Sequence, residues 1–224
     1  MAYLITIEGI DGSGKGTQAQ RLYERYSASG KSAALLSFPR YSETLFGKAI
    51  GDFLNGRFGT LKEVSPFLAS LLYAGDRFES RNFLLETLKE NEIVILDRYT
   101  ASNLAHQGSK LKGAERREIV DWIRRIEYEI YQLPRPNLVV LLDLPVLEAQ
   151  QLIATKQTRS YTDKAADMQE ADTEYLEGVR NVYLELAEEE LNWCKIECWR
   201  SNAIRSIEEI GEEIWNVVNS CRNT

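Results

Sequence analysis

A glycine-rich loop follows the first apolar stretch of the chain and has the sequence GIDGSGKGT over residues 9–17. Gly9, Gly14 and Lys15 have the G-x4-G-K spacing of a phosphate-binding loop. Glycines allow the backbone angles that turn several N–H groups toward an anion, and the helix that starts there adds its positive end. The loop therefore predicts a nucleoside triphosphate site made by Gly9, Gly12, Ser13, Gly14, Lys15, Gly16 and Thr17.

A candidate magnesium site lies one predicted strand away from this loop. Gly16 occupies the position where such loops usually have a Ser or Thr that ligates Mg²⁺, and Thr17 comes one residue late. Asp97 ends the apolar run IVILD, and an acid at the end of such a strand suits Mg²⁺ held partly through water. Alternatively Asp97 caps the helix that follows, and the two roles are compatible. The guanidinium of Arg98, the next residue, suits a second phosphate.

Two further arginines and a tyrosine have side chains suited to a nucleotide. Arg40 lies in FPRY, after the second apolar run, where its planar guanidinium could bind a phosphate or simply occupy a surface turn. Tyr73 and Arg77 are four residues apart, so they share one helix face and could hold a base by stacking and hydrogen bonding. The alternative is a core tyrosine beside a surface salt bridge.

A polar segment and a single histidine complete the candidates. Residues 156–168 lack apolar periodicity and carry Lys156, Arg159 and Lys164, so we expect a mobile surface segment. Positive charges on such a segment can close over transferring phosphates as a lid, although a solvated loop has the same composition. His106 is the only histidine of the chain and has no Ser or Cys nucleophile context, so we assign it no acid–base task.

Predicted strands and helices alternate along the chain. Apolar runs predict buried strands at residues 3–8, 32–37, 93–97, 138–145 and 193–199. Apolar residues at helical spacing predict helices at about 19–26, 45–54, 66–90, 119–130, 175–186 and 204–218. The long helix of residues 66–90 precedes the third predicted strand. It should break near Gly75 and turn Phe67, Leu68, Leu71, Leu72 and Phe78 inward.

This alternation favours a parallel sheet covered on both faces, in which ligands bind at the carboxyl ends of the strands. We therefore expect an α/β fold with a five-stranded parallel sheet flanked by helices. A single domain should span residues 1–224, with a lid at about residues 156–168.

The composition excludes several classes of protein. With 44% hydrophobic and 27% charged residues among 224, the chain is typical of globular proteins. Its net charge of −7 argues against nucleic acid or an anionic membrane as a partner. Three cysteines and one histidine make neither a closed disulfide framework nor a zinc set, so we expect free thiols and a cytoplasmic location. We expect no signal peptide and no membrane span, because the apolar runs are too short.

The motifs together resemble those of thymidylate kinases, and the resemblance runs over nearly the whole chain. In order, the motifs are EGIDGSGK, FPRY, YAGDRF, LDRYTASN and the acidic segment DMQE. The glycine loop alone would indicate only a P-loop kinase, whereas the ordered set is far more specific. The resemblance implies a P-loop kinase core with a lid, Mg²⁺ as cofactor, a homodimer, and transfer of the ATP γ-phosphoryl group to dTMP.

The resemblance also implies which residues act in catalysis. Lys15 and the loop backbone would hold the ATP phosphates. Asp11 would face the 3′-hydroxyl of the acceptor sugar and, with Asp97, would hold Mg²⁺. Because the loop has no arginine, a lid cation would meet the transferred group, and Arg159 is the candidate, with the two lid lysines as rivals. The implied catalytic residues are Lys15, Asp11, Arg98 and Arg159.

Most of the implied roles concern dTMP. Arg40 and Arg98 would bind its phosphate, and Tyr73 would stack on thymine. Asn103 would hydrogen-bond the thymine edge, and Arg77 would contact the base or the nearby phosphate. His106 and Gln169 occupy positions where some relatives have tyrosines, and Asp167 and Glu170 match acids at the end of the lid. The implied dTMP site is Asp11, Phe38, Arg40, Tyr73, Arg77, Arg98, Asn103, His106 and Gln169.

Two other interpretations remain open on the residues alone. The first is a kinase for another acceptor, such as dUMP, UMP, AMP or a deoxynucleoside. Asn103 and Tyr73 favour a pyrimidine, and Arg40 with Arg98 favours an acceptor that already carries a phosphate. The second is an ATP-binding regulator without turnover, against which the intact Lys15 and Asp97 and the basic lid argue.

Overall fold

The computed structural model describes residues 2–61, 63–154 and 172–222, and five parallel strands form its main sheet. The strands are β1 (Tyr3–Glu8), β2 (Ala33–Ser37), β3 (Ile93–Asp97), β4 (Leu138–Asp143) and β5 (Trp193–Glu197), in the spatial order β2-β3-β1-β4-β5. This arrangement confirms the predicted five-stranded parallel sheet. Because the strands are parallel, their carboxyl ends all lie at one edge of the sheet.

Helices cover both faces of the sheet. In the described part of the chain they are α1 (Lys15–Ala28), α2 (Leu45–Leu54), α3 (Pro66–Glu79), α4 (Arg81–Glu90), α5 (Thr100–Gly108), α6 (Gly113–Arg124), α7 (Val146–Ala154), α8 (Thr173–Glu189) and α9 (Ile207–Arg222). A π-helical turn, Arg125–Ile130, extends α6, and a small hairpin pairs β6 (Trp199–Arg200) with β7 (Ala203–Ile204). None of the described helices is long and apolar enough to cross a membrane.

The central strands are apolar because both of their faces are buried. Alternate side chains of β1 and β3 enter two separate clusters, with Ile5 and Ile95 in the larger and Leu4 and Leu96 in the smaller. All four side chains are at most 2% exposed. Helices on both faces account for the near-continuous apolar runs of these strands, in contrast to the alternating pattern of a half-exposed sheet.

The region of α3 and α4 differs from the sequence-based expectation in two ways. The helix breaks at Ser80 rather than near Gly75. Leu68 and Phe78, which were expected to point inward, are 63% and 51% exposed. The buried face of α3 instead carries small and polar residues, including Asp76 and Arg77: Arg77 lines a cavity, and Ala69 packs against apolar side chains of α2.

Smaller differences concern α5, α7 and the end of β5. Helix α5 was not predicted as a helix because all nine of its residues are buried, which leaves no amphipathic period to detect. Helix α7 was also missed. Strand β5 ends at Glu197 instead of Trp199, and the last helix begins at Ile207 because Ile204 belongs to the hairpin.

Candidate active site

The phosphate-binding loop connects β1 to α1 at the carboxyl edge of the sheet. Gly9 and Gly12 have φ values of 144° and 84°, in the region that favours glycine. A Cβ atom on Gly12 would lie 2.3 Å from the carbonyl oxygen of Ala149, so only glycine fits there. Gly14 precedes α1 with φ 89° and supplies no side-chain cap. The first N–H groups of the helix therefore remain available to an anion.

Lys15 is the first residue of α1, and its side chain folds back over the loop. Its Nζ donates a 2.7 Å hydrogen bond to the carbonyl oxygen of Ile10. Burial lowers the pKa of Lys15 to about 7, and the charge of Arg98 adds to this effect while three nearby carboxylates oppose it. A phosphate bound at the loop would favour the charged form of the lysine.

Gly16 allows the loop to approach Asp97 closely. A Cβ atom on Gly16 would lie 3.0 Å from Oδ2 of Asp97, so a Ser or Thr at this position would crowd the carboxylate. The other carboxylate oxygen of Asp97, Oδ1, is buried and has no hydrogen-bond partner in the described part of the chain. An unpartnered carboxylate oxygen beside a phosphate loop is a ligand that Mg²⁺ prefers, so the residues fit this cation.

The described ranges contain no group of three or more His, Cys, Asp or Glu side chains that could hold a metal ion. A magnesium ion at Asp97 would accordingly take most of its ligands from phosphates and water, which is usual for Mg²⁺ in kinases.

Arg98 follows β3 and connects the loop to α5. Its φ of 67° lies in the left-handed region, which is uncommon for a residue with a side chain. One end of its guanidinium forms an ion pair with Asp11 in the loop. The other end donates to Oγ of Ser102 at 3.2 Å and to the carbonyl oxygen of Gly9 at 3.4 Å. Asp11 and Arg98, predicted separately from the sequence, are therefore direct partners.

The buried carboxylate of Glu8 supports this turn, and the sequence analysis did not identify it. Glu8 is fully buried and accepts hydrogen bonds from the backbone N–H of Tyr99 at 2.7 Å, from Ser102 at 2.7 Å and from Tyr183 at 2.9 Å. Burial raises the pKa of Glu8, while these hydrogen bonds and the charge of Arg98 oppose the rise. The only signal in the sequence was an acid at the end of an apolar strand.

A cavity of about 240 Å³ opens beside Arg98 and Asp97. Most of the residues expected to bind the acceptor line it, together with six that were not named. The lining residues are Asp11, Ser37, Phe38, Pro39, Tyr41, Leu54, Tyr73, Arg77, Asp97, Arg98, Ser102, Asn103, His106 and Gln107.

A buried ion pair closes one wall of this cavity. Arg77 is 2% exposed and donates two hydrogen bonds of 2.6 Å to Glu127, which is fully buried. Asn103 donates from Nδ2 to Oε1 of Glu127 at 2.9 Å and to the carbonyl oxygen of Ser70 at 3.0 Å. Oδ1 of Asn103 is buried and has no partner among the described residues. The ion pair of Arg77 is therefore buried, and the alternative of a surface salt bridge beside Tyr73 is wrong for this residue.

Gln107, one helical turn after Asn103, was missed in the sequence. It is fully buried and lines the cavity. Its Oε1 accepts a 2.9 Å hydrogen bond from Lys110, whereas its Nε2 has no partner in the described ranges. Helical spacing from Asn103 could not identify it, because α5 itself has no amphipathic period in the sequence.

His106 lies on the same helix, and its ring is held by α8. Nδ1 of His106 is 2.8 Å from the hydroxyl group of Tyr175. Burial lowers the pKa of His106 to about 3, and the charge of Arg98 also contributes. The imidazole is therefore neutral at physiological pH.

Some predicted residues lie away from the cavity or outside the described ranges. The guanidinium of Arg40 does not line the cavity: it donates to Oγ of Ser80 at 3.3 Å and lies 4.5 Å from the ring centroid of Phe83. Its role at the acceptor phosphate stays a prediction. The predicted lid residues lie outside the described residues, namely Lys156, Arg159, Lys164, Asp167, Gln169 and Glu170.

The parallel sheet, the glycine loop at its carboxyl edge and the adjoining cavity define a P-loop nucleotide kinase. A sequence profile of the thymidylate kinase family matches residues 7–214. A thymidylate kinase of Mycobacterium tuberculosis is 34% identical over 186 residues, which are 82% of this chain and 85% of that protein. A probable thymidylate kinase of Thermococcus onnurineus is 35% identical over 215 residues, 94% of each chain.

The chain belongs to the thymidylate kinase family. A solved structure of the thymidylate kinase from Candida albicans superposes with a TM-score of 0.76 at 24% identity, over 99% of this chain and 93% of that one, and shows the same fold. As a thymidylate kinase, the protein is an ATP:dTMP phosphotransferase, and this interpretation is confirmed over the two alternatives.

Proposed function

We propose that Asn103 and Gln107 recognise the thymine ring of dTMP through one acceptor and one donor whose orientations are fixed. Nδ2 of Asn103 faces two oxygen acceptors, so Oδ1 is the atom left for a ligand. Oε1 of Gln107 faces an ammonium group, so Nε2 is the atom left for a ligand. This pair of free atoms is the observation that carries the proposal.

The pair matches an imide edge. The N3–H group of thymine can donate a hydrogen bond to Oδ1 of Asn103. The neighbouring carbonyl oxygen O4 can accept a hydrogen bond from Nε2 of Gln107. N3 of cytosine carries no proton and its C4 carries an amino group. With cytosine in the same pose, an acceptor would face the acceptor of Asn103 and a donor would face the donor of Gln107. Buried polar groups would then lack hydrogen bonds.

The rest of the nucleotide would extend from this edge toward the loop. Tyr73 lines the cavity beside the base position and can stack on the ring. His106, neutral and held by Tyr175, would lie near the sugar. Arg98 and Asp11, where the cavity meets the loop, would contact the acceptor phosphate and the 3′-hydroxyl respectively.

The chemistry is a direct transfer between two phosphates. An oxygen of the dTMP phosphate forms a bond to the γ-phosphorus of ATP, the bond to the bridging oxygen breaks, and ADP leaves with the electron pair. Lys15 and the loop N–H groups hold the donor phosphates, and Arg98 holds the acceptor in line. Bound Mg²⁺, held by Asp97 and Asp11, would neutralise charge on the donor phosphates. Arg159 remains the proposed lid cation.

ADP release with ATP and Mg²⁺ tests the recognition of the base. We expect dTMP and dUMP to be accepted and kcat/KM for dCMP to be lower by about 100-fold, because a buried hydrogen-bonding edge rejects a mismatched base. Gln107→Leu should lower this ratio of dTMP to dCMP, whereas Glu86→Gln, on the exposed side of α4, should leave it unchanged. A dCMP value within a few-fold of dUMP in the unaltered enzyme would contradict the proposal.

We also propose a homodimer formed by α2, α3 and α6. These neighbouring helices and the π-helical turn expose large apolar side chains, with Leu45 72%, Leu68 63%, Phe78 51% and Ile130 58% exposed. An apolar surface of this kind is typical of subunit interfaces. Three free thiols in the described structure support a cytoplasmic location.

Light scattering during size-exclusion chromatography tests the dimer. Leu68→Glu should produce monomers because it places a charge on the apolar surface. Leu191→Glu is the matched control, since Leu191 is fully exposed but lies between α8 and β5. A monomeric unaltered protein, or a Leu68→Glu variant that remains dimeric, would refute the proposed interface.

A further inference from the structure

Lys110 lies just beyond α5 and contacts Gln107, but it is not among the residues that line the acceptor cavity. Its Nζ donates a 2.9 Å hydrogen bond to Oε1 of Gln107. It also lies 5.6 Å from the ring centroid of Phe53, a fully buried side chain. Lys110 does not line the acceptor cavity, so it makes no direct contact with a nucleotide bound there.

An ammonium group determines which end of a carboxamide faces it. The two ends of the Gln107 amide have nearly the same shape, and a rotation of 180° exchanges a donor for an acceptor. An ammonium group has three donors and no acceptor, so it stabilises only the orientation in which Oε1 faces it. Nε2, the donor atom, is then the end of the amide left without a partner in the described part of the chain, on a residue that lines the cavity.

The surroundings of Lys110 keep this contact partly shielded from water. Burial lowers the pKa of Lys110 to about 8, so its amino group is still mostly protonated at neutral pH. Without Lys110, water could hydrogen-bond either end of the amide, and neither orientation of Gln107 would be favoured.

We propose that Lys110 is a positioning residue for base specificity: it fixes the Gln107 amide so that the enzyme accepts a carbonyl at position 4 of the pyrimidine and rejects an amino group. This inference rests on the proposed contact between Gln107 and the base. Lys110 acts entirely through Gln107 and takes no part in phosphoryl transfer.

The measurement is the ratio of kcat/KM for dTMP to kcat/KM for dCMP, obtained from ADP release at pH 7. Lys110→Met keeps the length of the aliphatic chain near Phe53 but removes the donor, and it should lower the ratio about tenfold. The change should occur mainly in KM, since the phosphate groups are untouched. Lys110→Arg retains donors and should restore most of the ratio. Lys89→Met, on the exposed surface of α4, is the matched control.

Three results distinguish the possible failures. If Gln107→Leu lowers the ratio and Lys110→Met does not, the inference about Lys110 is wrong while the proposed base contact stands. If neither substitution changes the ratio, the base contact itself is wrong and Lys110 has no role in specificity. Should Lys110→Met not fold, Lys110→Gln replaces it, because a second amide can face Gln107 with either end and should give the same loss. An unchanged ratio in Lys110→Gln would then overturn the inference.

Discussion

The phosphate loop and the acceptor cavity lie side by side at one edge of the sheet, but they are built in different ways. The loop is made from one continuous stretch of nine residues, and backbone conformation at Gly9, Gly12 and Gly14 determines its shape. The cavity is made from side chains of β2, β3, α2, α3 and α5, many of which are held by residues elsewhere in the chain. The first kind of site is encoded locally, and the second depends on tertiary contacts.

Electrostatics separates the two regions as well. The loop presents backbone N–H groups and the ammonium group of Lys15, all of which can bind the phosphates of a ligand. In the cavity, the charges of Arg98 and Arg77 already have carboxylate partners, Asp11 and Glu127. Substitution of Lys15 should therefore remove mainly interactions with the ligand, since its one hydrogen bond within the described structure is to the loop itself. Substitutions in the cavity should disturb the neighbouring side chains too.

The largest expected effect is at the loop. Lys15→Met should lower kcat about 10³-fold, because it removes a positive charge aimed at the phosphates on which negative charge develops. Unfolding should remain cooperative, since only one hydrogen bond, to the loop itself, is lost. Steady-state ADP release and thermal melting measure the two quantities. A kcat within tenfold of the unaltered enzyme would show that the loop backbone suffices without the lysine.

The next effect distinguishes two arginines that the sequence placed together at the acceptor phosphate. Arg98→Ala should lower kcat/KM for dTMP by about 100-fold, since a charged hydrogen-bonding partner of the acceptor is lost. Arg40→Ala should have a much smaller effect if its guanidinium stays on Ser80 and Phe83. Equal losses in the two variants would mean that Arg40 turns into the cavity when dTMP binds.

Glu8 provides a smaller but more diagnostic test of the tertiary contacts. Glu8→Gln keeps an acceptor for the N–H of Tyr99 but removes the negative charge beside Arg98. We expect KM for dTMP to rise roughly tenfold with little change in KM for ATP, because the turn that carries Arg98 loosens while the loop stays intact. Isothermal titration with dTMP and with ATP measures whether the affinity for dTMP falls while the affinity for ATP is retained. A parallel loss of ATP affinity would show that Glu8 supports the loop rather than Arg98.

The contrast between the two regions also explains what the sequence could predict. Apolar runs located all five strands of the main sheet, and the spacing of Gly9, Gly14 and Lys15 located the loop, since both are local patterns. Glu8 and Gln107 were not foreseen. The partners of Glu8, Tyr99 and Tyr183, lie 91 and 175 residues away in the chain.

Tertiary contacts also decide which residues of α3 and α5 are buried. Leu68 is an apolar residue at helical spacing that faces outward, whereas the buried face of α3 carries Ala69, Asp76 and Arg77. The helix α5 has buried residues on every side and hence no period to detect. In both cases the environment of the helix, and not its own sequence, decides which residues are buried.

The pH dependence of stability offers the last test, at His106. An unfolded histidine titrates near pH 6.5, whereas burial lowers the pKa of His106 in the folded protein to about 3. Between these values the unfolded chain binds more protons, so the contribution of His106 to stability is complete above pH 6.5 and is lost as the pH falls toward 3. At pH 5 the loss should be about 2 kcal/mol.

His106→Gln removes this titration while it keeps a polar side chain beside Tyr175. Urea unfolding at pH 7 and pH 5 should therefore show a smaller loss of stability for the variant than for the unaltered protein, by about 2 kcal/mol. Carboxylates that titrate over the same range are present in both proteins, so their contribution to the loss of stability cancels when the two losses are compared. Equal losses would mean that the cavity wall admits a proton on His106, and so that water or an acid reaches the imidazole from the acceptor side. The side chains that build the cavity would then fail to keep His106 from protonation, and the tertiary contacts of this wall would be looser than the hydrogen bond to Tyr175 indicates.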